Sequence, residues 1–324
     1  SIAVLERTKK PGSMGEPLYV DIRTAVGEIM IEDKKRFDRY PVIVGGRYGL
    51  GSKEFTPAMA KAVFETLTLD LPKNHFTVGI NDDVTNTSLP YDPTFDITDE
   101  TTYSAVFYGL GSDGTVGANK NSIKVIGDLT ENYGQGYFVY DSKKAGTVTI
   151  SHLRFGPKPI HSPYLVSQAD FVACHNEAFL DRLDILKGIK KGGTFLINSL
   201  SGPEEVWNIL PRTTQQIIIE RKVKVYTIDA VHLAKKLGLE FRINTIMQTV
   251  FFDISKILKR EVFVTALKDA IKKTYGKKGE EVVKMNCAAV DEALSNYKEV
   301  TVPAKANSAF DIKSPVPSSA PAFV

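Results

Sequence analysis

The chain has 324 residues, of which 43% are hydrophobic and 24% charged, and a formal net charge of +3. At about 100–200 residues per domain this length predicts two domains, and the composition excludes collagen-like, coiled-coil and wholly disordered classes. So mild a charge gives no electrostatic reason to expect nucleic acid and leaves small anions as ligands. No apolar run approaches the roughly 18 residues that a bilayer span needs, so no membrane association is expected. The first residues lack a secretory pattern, and a cytoplasmic chain is expected. Cys174 and Cys287 lie far apart and form no CxxC. This segment alone therefore provides neither an iron–sulfur cluster nor a tetracysteine zinc site, and no metal ligands are assigned.

In chain order, Ile2-Ala3-Val4-Leu5 opens the sequence as a buried strand. A chain seldom starts inside a core strand, so a fragment of a longer polypeptide is expected. Glu16 to about Ile31 reads as a helix with Pro17 in its first turn, where a missing N–H costs little. Val42-Ile43-Val44 reads as a strand entering a Gly45-Gly46 turn. A helix follows over Ala58–Leu67, with Thr56 as its N-cap, and then a strand over Phe76–Ile80. Strands alternating with helices predict parallel pairing. The polar, turn-rich stretch from Asn81 to Thr102 marks a boundary.

A second alternation begins with the strand Tyr103–Tyr108, a glycine loop and a helix to about Asn132. Strands follow at Tyr137–Tyr140, Thr147–His152 and Phe171–His175, then a helix over Glu177–Ile189 and a strand over Thr194–Asn198. A helix around Glu204–Leu210 and a strand over Val223–Ile228 come next, and Ala230 to about Tyr297 reads as almost all helical. From Pro303 the composition turns to Pro, Ser and Ala, as in a linker or wrapping arm. The expected fold is α/β, with two open, mainly parallel Rossmann-like sheets flanked by helices, a helical C-terminal cap and an extended tail. The boundaries fall at 1–95, 102–298 and 299–324.

The sharpest local feature is the run from Gly109 to Lys120, which holds G-x-G-x-x-G at Gly109, Gly111 and Gly114 between a strand and a helix. Strand–loop–helix context gives this weak motif its meaning. Gly109 permits a tight turn, Gly111 lets backbone approach a diphosphate, and Gly114 and Gly117 let the helix sit close on the strand. The helix start offers free N–H groups and about half a positive charge to an anion. Thr115 adds a hydroxyl and Lys120 a full positive charge. Asp113 opposes a phosphate in the turn and is expected to cap the helix or bond a ligand hydroxyl or amide. The structural alternative is a turn that merely needs glycine.

At the end of the next strand, Asp141 is followed by Ser142-Lys143-Lys144. Two lysines there suit an adenosine carrying an extra phosphate, as in coenzyme A or NADP; two solvated turn lysines are the alternative. Arg154, after a strand, is placed to meet an anion or to form a surface ion pair. Asn198-Ser199 ends a strand and is placed to line the same crevice or to cap a helix. The five histidines show no ligand spacing and read as structural, Trp207 as core. Gly45 to Ser52 reads as a structural turn or subunit contact rather than a phosphate loop. No GxSxG and no paired-carboxylate signature is present, and no catalytic residue is assigned.

Several of these segments carry a resemblance. Arg7-Thr8-Lys9-Lys10-Pro11-Gly12, Gly15-Glu16-Pro17-Leu18-Tyr19, Gly45 to Lys53, Gly111 to Lys120, Tyr140 to Lys144 and Ser151 to Gly156 resemble the middle of pyruvate:ferredoxin (flavodoxin) oxidoreductases, over Ser1 to about Pro303. That family cleaves a 2-oxoacid oxidatively with thiamine diphosphate, passes electrons through [4Fe–4S] clusters to ferredoxin or flavodoxin, and transfers the acyl group to coenzyme A. Its members are multidomain and usually homodimeric. The resemblance implies that residues 1–95 are part of a transketolase C-terminal-like domain and 102–298 a gamma-type, coenzyme A-receiving domain. Coenzyme A would then contact Gly109, Gly111, Asp113, Gly114, Thr115, Lys120, Lys143, Lys144 and Asn198. The family's GDG motif and cluster cysteines are absent from this sequence. Thiamine diphosphate and the clusters are thus expected only in the intact enzyme, with the remaining domains of the same polypeptide as partners and the segment inactive alone. A free-standing NADP-dependent dehydrogenase and a non-catalytic scaffold are the alternatives.

Overall fold

The computed structural model describes residues 1–33, 36–49, 53–81, 84–140, 146–314, 316 and 319–321. They form two compact units, one of Ser1–Thr98 with Ser162–Leu165 and the other of Asp99–His161 with Val166–Val324.

In the first unit, β1 (Ile2–Glu6), β2 (Ile43–Arg47) and β3 (Phe76–Thr77) form an all-parallel sheet in the order β1-β2-β3. Helices α1 (Pro17–Glu32) and α2 (Pro57–Thr66) make the crossovers. Alternation along the strands splits the apolar residues into two layers. Val4 and Ile43 pack with Tyr19 and Val26 of α1, while Val44 and Phe76 pack with Met59 and Val63 of α2. Thr56 caps α2, its hydroxyl accepting the Met59 N–H at 3.4 Å. Gly45 and Gly46 lie inside β2 and not in a turn after it. The cause is close packing: a Cβ on Gly46 would sit 2.2 Å from the Phe76 ring, and one on Gly45 2.9 Å from Glu16 Oε2.

The second unit holds a seven-stranded sheet in the order β10-β9-β8-β7-β4-β6-β5. Its strands are β4 (Tyr103–Leu110), β5 (Tyr133–Tyr140), β6 (Val148–Gly156), β7 (Ala169–Cys174), β8 (Ile189–Asn198), β9 (Lys224–Ile228) and β10 (Lys298–Val300). The centre, β9-β8-β7-β4, is parallel, whereas β6 pairs antiparallel with both β4 and β5, and β10 antiparallel with β9. Helix α3 (Thr115–Leu129) and the cap α5 (Ala230–Lys236), α6 (Asn244–Ser255), α7 (Arg260–Tyr275) and α8 (Glu280–Asn296) cover one face. There Phe107 and Phe171 meet Phe251 of α6 edge-on, with ring centres 5.0 and 5.1 Å apart. The other face is covered by the segment after β7, by Trp207 and Leu210, and by α4 (Arg212–Glu220).

Two expected helices are not formed. Between Glu177 and Ile189 there is only a 3-10 turn, Glu177–Phe179, and around Glu204–Leu210 another, Val206–Ile209. Phe179-Leu180 and Ile185-Leu186 are buried as adjacent pairs. Neighbours on a helix point about 100° apart, so an irregular path seats both members of each pair in the core. Conversely, α4 forms although Thr213, Thr214 and Ile217 to Ile219 are β-branched and weak helix formers. After β10 the tail crosses α4. Gln215, fully buried, accepts the N–H groups of Asn307 (2.8 Å) and Ser308 (3.0 Å), and Trp207 Nε1 donates to Asn307 Oδ1 at 2.9 Å.

Candidate functional site

The strand order reverses between β4 and β7. From β4 the chain passes through α3 to β5 and β6 on one side, and it returns through β7, β8 and β9 on the other. Open α/β sheets bind ligands outside the carboxyl ends of the strands at such a switch point. A cleft of about 490 Å³ lies there, lined by Leu110 to Asp113 after β4, His175 to Glu177 after β7 and Asn198 to Leu200 after β8. Val231 and the α5–α6 loop, Glu240 to Ile243, close its far side.

The turn itself is built by Asp113. One carboxylate oxygen accepts the Leu110 N–H at 2.8 Å and the other the Thr115 N–H at 2.7 Å, so the side chain caps α3 from within the loop. Gly111 N–H is committed to Thr147 O at 2.7 Å, which ties the turn to the start of β6. Gly109 is required sterically, because a Cβ there would lie 2.6 Å from Thr115 Oγ1. Gly114 turns the chain into the helix at φ 90°. The first intrahelical bond is Ala118 N–H to Gly114 O, at 3.0 Å. The amides of Val116 and Gly117 precede it and have no acceptor within the helix. Beside them space is open, since a Cβ on Gly117 would meet nothing within 4 Å.

Thr115 is buried, and its hydroxyl lies 2.7 Å from His175 Nδ1. His175 is 5% exposed, and its Nε2 has no hydrogen-bond partner among the described residues. Burial holds the imidazole well below the usual histidine range, against a smaller upward pull from Asp113, so it is neutral at physiological pH. Asn198 is used at both ends: its Nδ2 donates to His175 O and its Oδ1 accepts the Ala230 N–H, each at 3.0 Å. This amide locks the ends of β7 and β8 to the start of α5 and so fixes the cleft floor. Ser199 donates to Glu177 at 2.7 Å. Burial pushes the Cys174 thiol up to about 12, and its Sγ–H donates to Asn176 O at 3.1 Å, which leaves it unreactive.

The cleft thus collects Gly111, Asp113 and Asn198. Gly114 instead lines a smaller pocket of about 330 Å³ between α3, α6 and α7, together with Gly117, Asn121 and Asn244. Lys120 turns away from both, with its ammonium 5.3 Å from the centre of the Phe138 ring. Lys143 and Lys144 lie outside the described residues; β5 and β6, between which they fall in sequence, end at the same edge of the sheet as the glycine turn. Arg154 is buried within the sheet and donates to Gln135 Oε1 at 3.3 Å, far from the role of a free anion contact. His152 is held near 4 by burial and by Arg154, and accepts the Val166 N–H at 3.3 Å. Glu240, Phe241 and Arg242 carried no signal in the sequence, because a loop between two cap helices has no motif. The one clue to His175 was its place as the last residue of the expected strand Phe171–His175; in the structure β7 ends at Cys174 and His175 follows it.

Residues 104–296, from β4 to the end of α8, match the pyruvate ferredoxin/flavodoxin oxidoreductase family. The chain belongs to that family. It is 56% identical to the pyruvate-flavodoxin oxidoreductase of Trichormus variabilis over 92% of its length, and 52% identical to the pyruvate:ferredoxin oxidoreductase of Moorella thermoacetica over 100%. It spans about a quarter of the length of these relatives, 25% and 27% respectively. Among solved structures it is similar to a pyruvate oxidoreductase subunit of Thermotoga maritima, with 17% identity and a TM-score of 0.49, over 62% of this chain and 99% of that one. Among the described residues, this family member has no helix long and apolar enough to cross a membrane and no cluster of three metal-ligating side chains.

Proposed function

We propose that this chain is the central, coenzyme A-binding segment of a cytoplasmic enzyme that oxidatively decarboxylates pyruvate to an acyl-coenzyme A. Residues 1–95 are read as part of a transketolase C-terminal-like domain, 102–298 as the gamma-type domain and 299–324 as the linker that follows. In the intact, homodimeric protein the remaining domains supply thiamine diphosphate and the [4Fe–4S] clusters, which deliver electrons to ferredoxin or flavodoxin. The present segment is inactive alone.

The observation that carries this reading is the start of α3, inside the family match and at the switch point of the sheet. It constrains where phosphates go. Asp113 already takes the Leu110 and Thr115 amides, so a diphosphate seats on the Val116 and Gly117 amides, where the helix dipole favours an anion and the space is open. Lys143 and Lys144, with the extra phosphate of coenzyme A as their target, complete the charge.

Calorimetric titration of the 324-residue protein with coenzyme A, dephospho-coenzyme A and NADPH tests the reading. Coenzyme A is expected to bind tightest, and Gly117→Asp, which adds a carboxylate in open space, is expected to weaken it about tenfold or more. Tighter binding of NADPH overturns the assignment.

A further inference from the structure

We infer that the 490 Å³ cleft takes the neutral arm of the ligand, a slender chain of amides and a hydroxyl such as pantetheine, and that His175 is the side chain that binds it. This rests on the coenzyme A reading above and adds to it a second, separate subsite with a different chemistry. Phosphate and arm are divided between the two sides of the glycine turn. Gly117 lines the smaller pocket and His175 the larger, with Gly114 against Asn244 between them, where a Cβ would lie 3.1 Å from Asn244 Cγ.

Charge sets the first limit. Three carboxylates, Asp113, Glu177 and Glu240, face the cleft against one cation, Arg242. A dianionic phosphate entering it would meet net repulsion in a site partly shielded from water, whereas a neutral chain pays no such penalty. The walls set the second. Leu110, Leu200, Val231, Phe241 and Ile243 present apolar surface that suits methylene and methyl groups, and the volume lies in the usual range for small-molecule pockets.

The floor supplies the third. His175 is fixed from two sides, its backbone N–H donating to Tyr108 O at 2.9 Å and its Nδ1 held by Thr115, with Phe107 edge-on at 6.3 Å. His175 is one of the residues lining the cleft, its remaining nitrogen is buried with no partner among the described residues, and a polar atom of that kind calls for a hydrogen bond. Neutral imidazole can accept from a hydroxyl or an amide N–H, or in the other tautomer donate to an amide carbonyl; an arm carrying all three groups serves either. Phosphate would be bound far better by an imidazolium, which burial here prevents.

Three ligands and three proteins test this by calorimetry: coenzyme A, adenosine 3′,5′-bisphosphate (the nucleotide without the arm) and pantetheine, against the unaltered chain, His175→Ala and Leu200→Glu. Leu200 lines the cleft, is 69% exposed and makes none of the hydrogen bonds that build the helix start, so Leu200→Glu puts a carboxylate in the path of the arm and leaves those bonds in place. Both variants are expected to weaken coenzyme A about tenfold and to lose pantetheine, while the bisphosphate stays within about twofold. An equal loss for the bisphosphate would place the nucleotide in the cleft and overturn the inference. Unchanged coenzyme A affinity in both variants would do the same while leaving the phosphate seat intact. If the unaltered chain binds pantetheine but no nucleotide, the cleft stands and the phosphate seat is rejected; silence toward all three rejects both.

Discussion

Gly45-Gly46 lie inside the parallel strand β2 and Gly114 to Gly117 follow the parallel strand β4, but the first pair is filled by its neighbours and the space beside Gly117 is left open. In β2 the missing side chains make room for Tyr19, Glu16 and Phe76, so glycine serves the packing of two layers on a thin sheet. At α3 the helix starts directly after Gly114, and no described residue occupies the space beside Gly117. A glycine run after a strand is therefore informative about ligands only when a helix follows directly and no side chain of the protein takes up the freed volume. In the first unit α2 starts only at Pro57, well beyond the glycines, and its start is capped by Thr56.

The sharpest way to break this contrast is Gly46→Ala. With Phe76 fully buried and its ring 2.2 Å from the added methyl, about 3 kcal/mol of stability should be lost, seen as an early unfolding step in urea. A loss under about 1 kcal/mol would mean that the ring can move and that these glycines have another purpose.

Asp113→Ala should cost less, about 1–2 kcal/mol, because two backbone amides lose their acceptor. It also removes a negative charge from the turn, so inorganic phosphate should bind more tightly to the variant than to the unaltered chain. Weaker phosphate binding would show that the carboxylate organises the anion seat instead of competing with it.

The smallest effect belongs to Gly117→Ala, expected to stabilise the protein by up to about 1 kcal/mol through helix propensity and a less mobile unfolded chain. Thermal melting decides the sign, and a lower midpoint would show that the space beside Gly117 is not free.

Much of the architecture was legible in the sequence, since apolar runs alternating with helical patterns specify a layered α/β fold. What escaped has local causes. The order of the sheet is not local: the hairpin β5–β6 places β6 between β4 and β5, and nothing in the two strands announces that insertion. Apolar pairs such as Phe179-Leu180 imitate a helix face over a few residues while packing into an irregular layer. The isoleucines of α4 favour a strand until burial of Ile218 and Gln215 decides otherwise. At the site, Asp113 was legible as a helix cap because its spacing to Thr115 is short. Lys120 was not legible: five residues past Thr115 it has rotated toward β5 and found Phe138. The acidic wall formed by Glu177 and Glu240 joins segments remote in sequence, which only the fold brings together.

The docked tail has a spectroscopic consequence. Trp207 is the sole tryptophan of the chain, 3% exposed, and its indole N–H is held by Asn307, 100 positions further on. All indole fluorescence thus comes from one ring that bridges α4's neighbourhood and the tail, and it shifts to the red when that hydrogen bond and its cover are lost. Because the contact closes so long a loop, the emission reports docking of the tail on the second unit without any label being introduced.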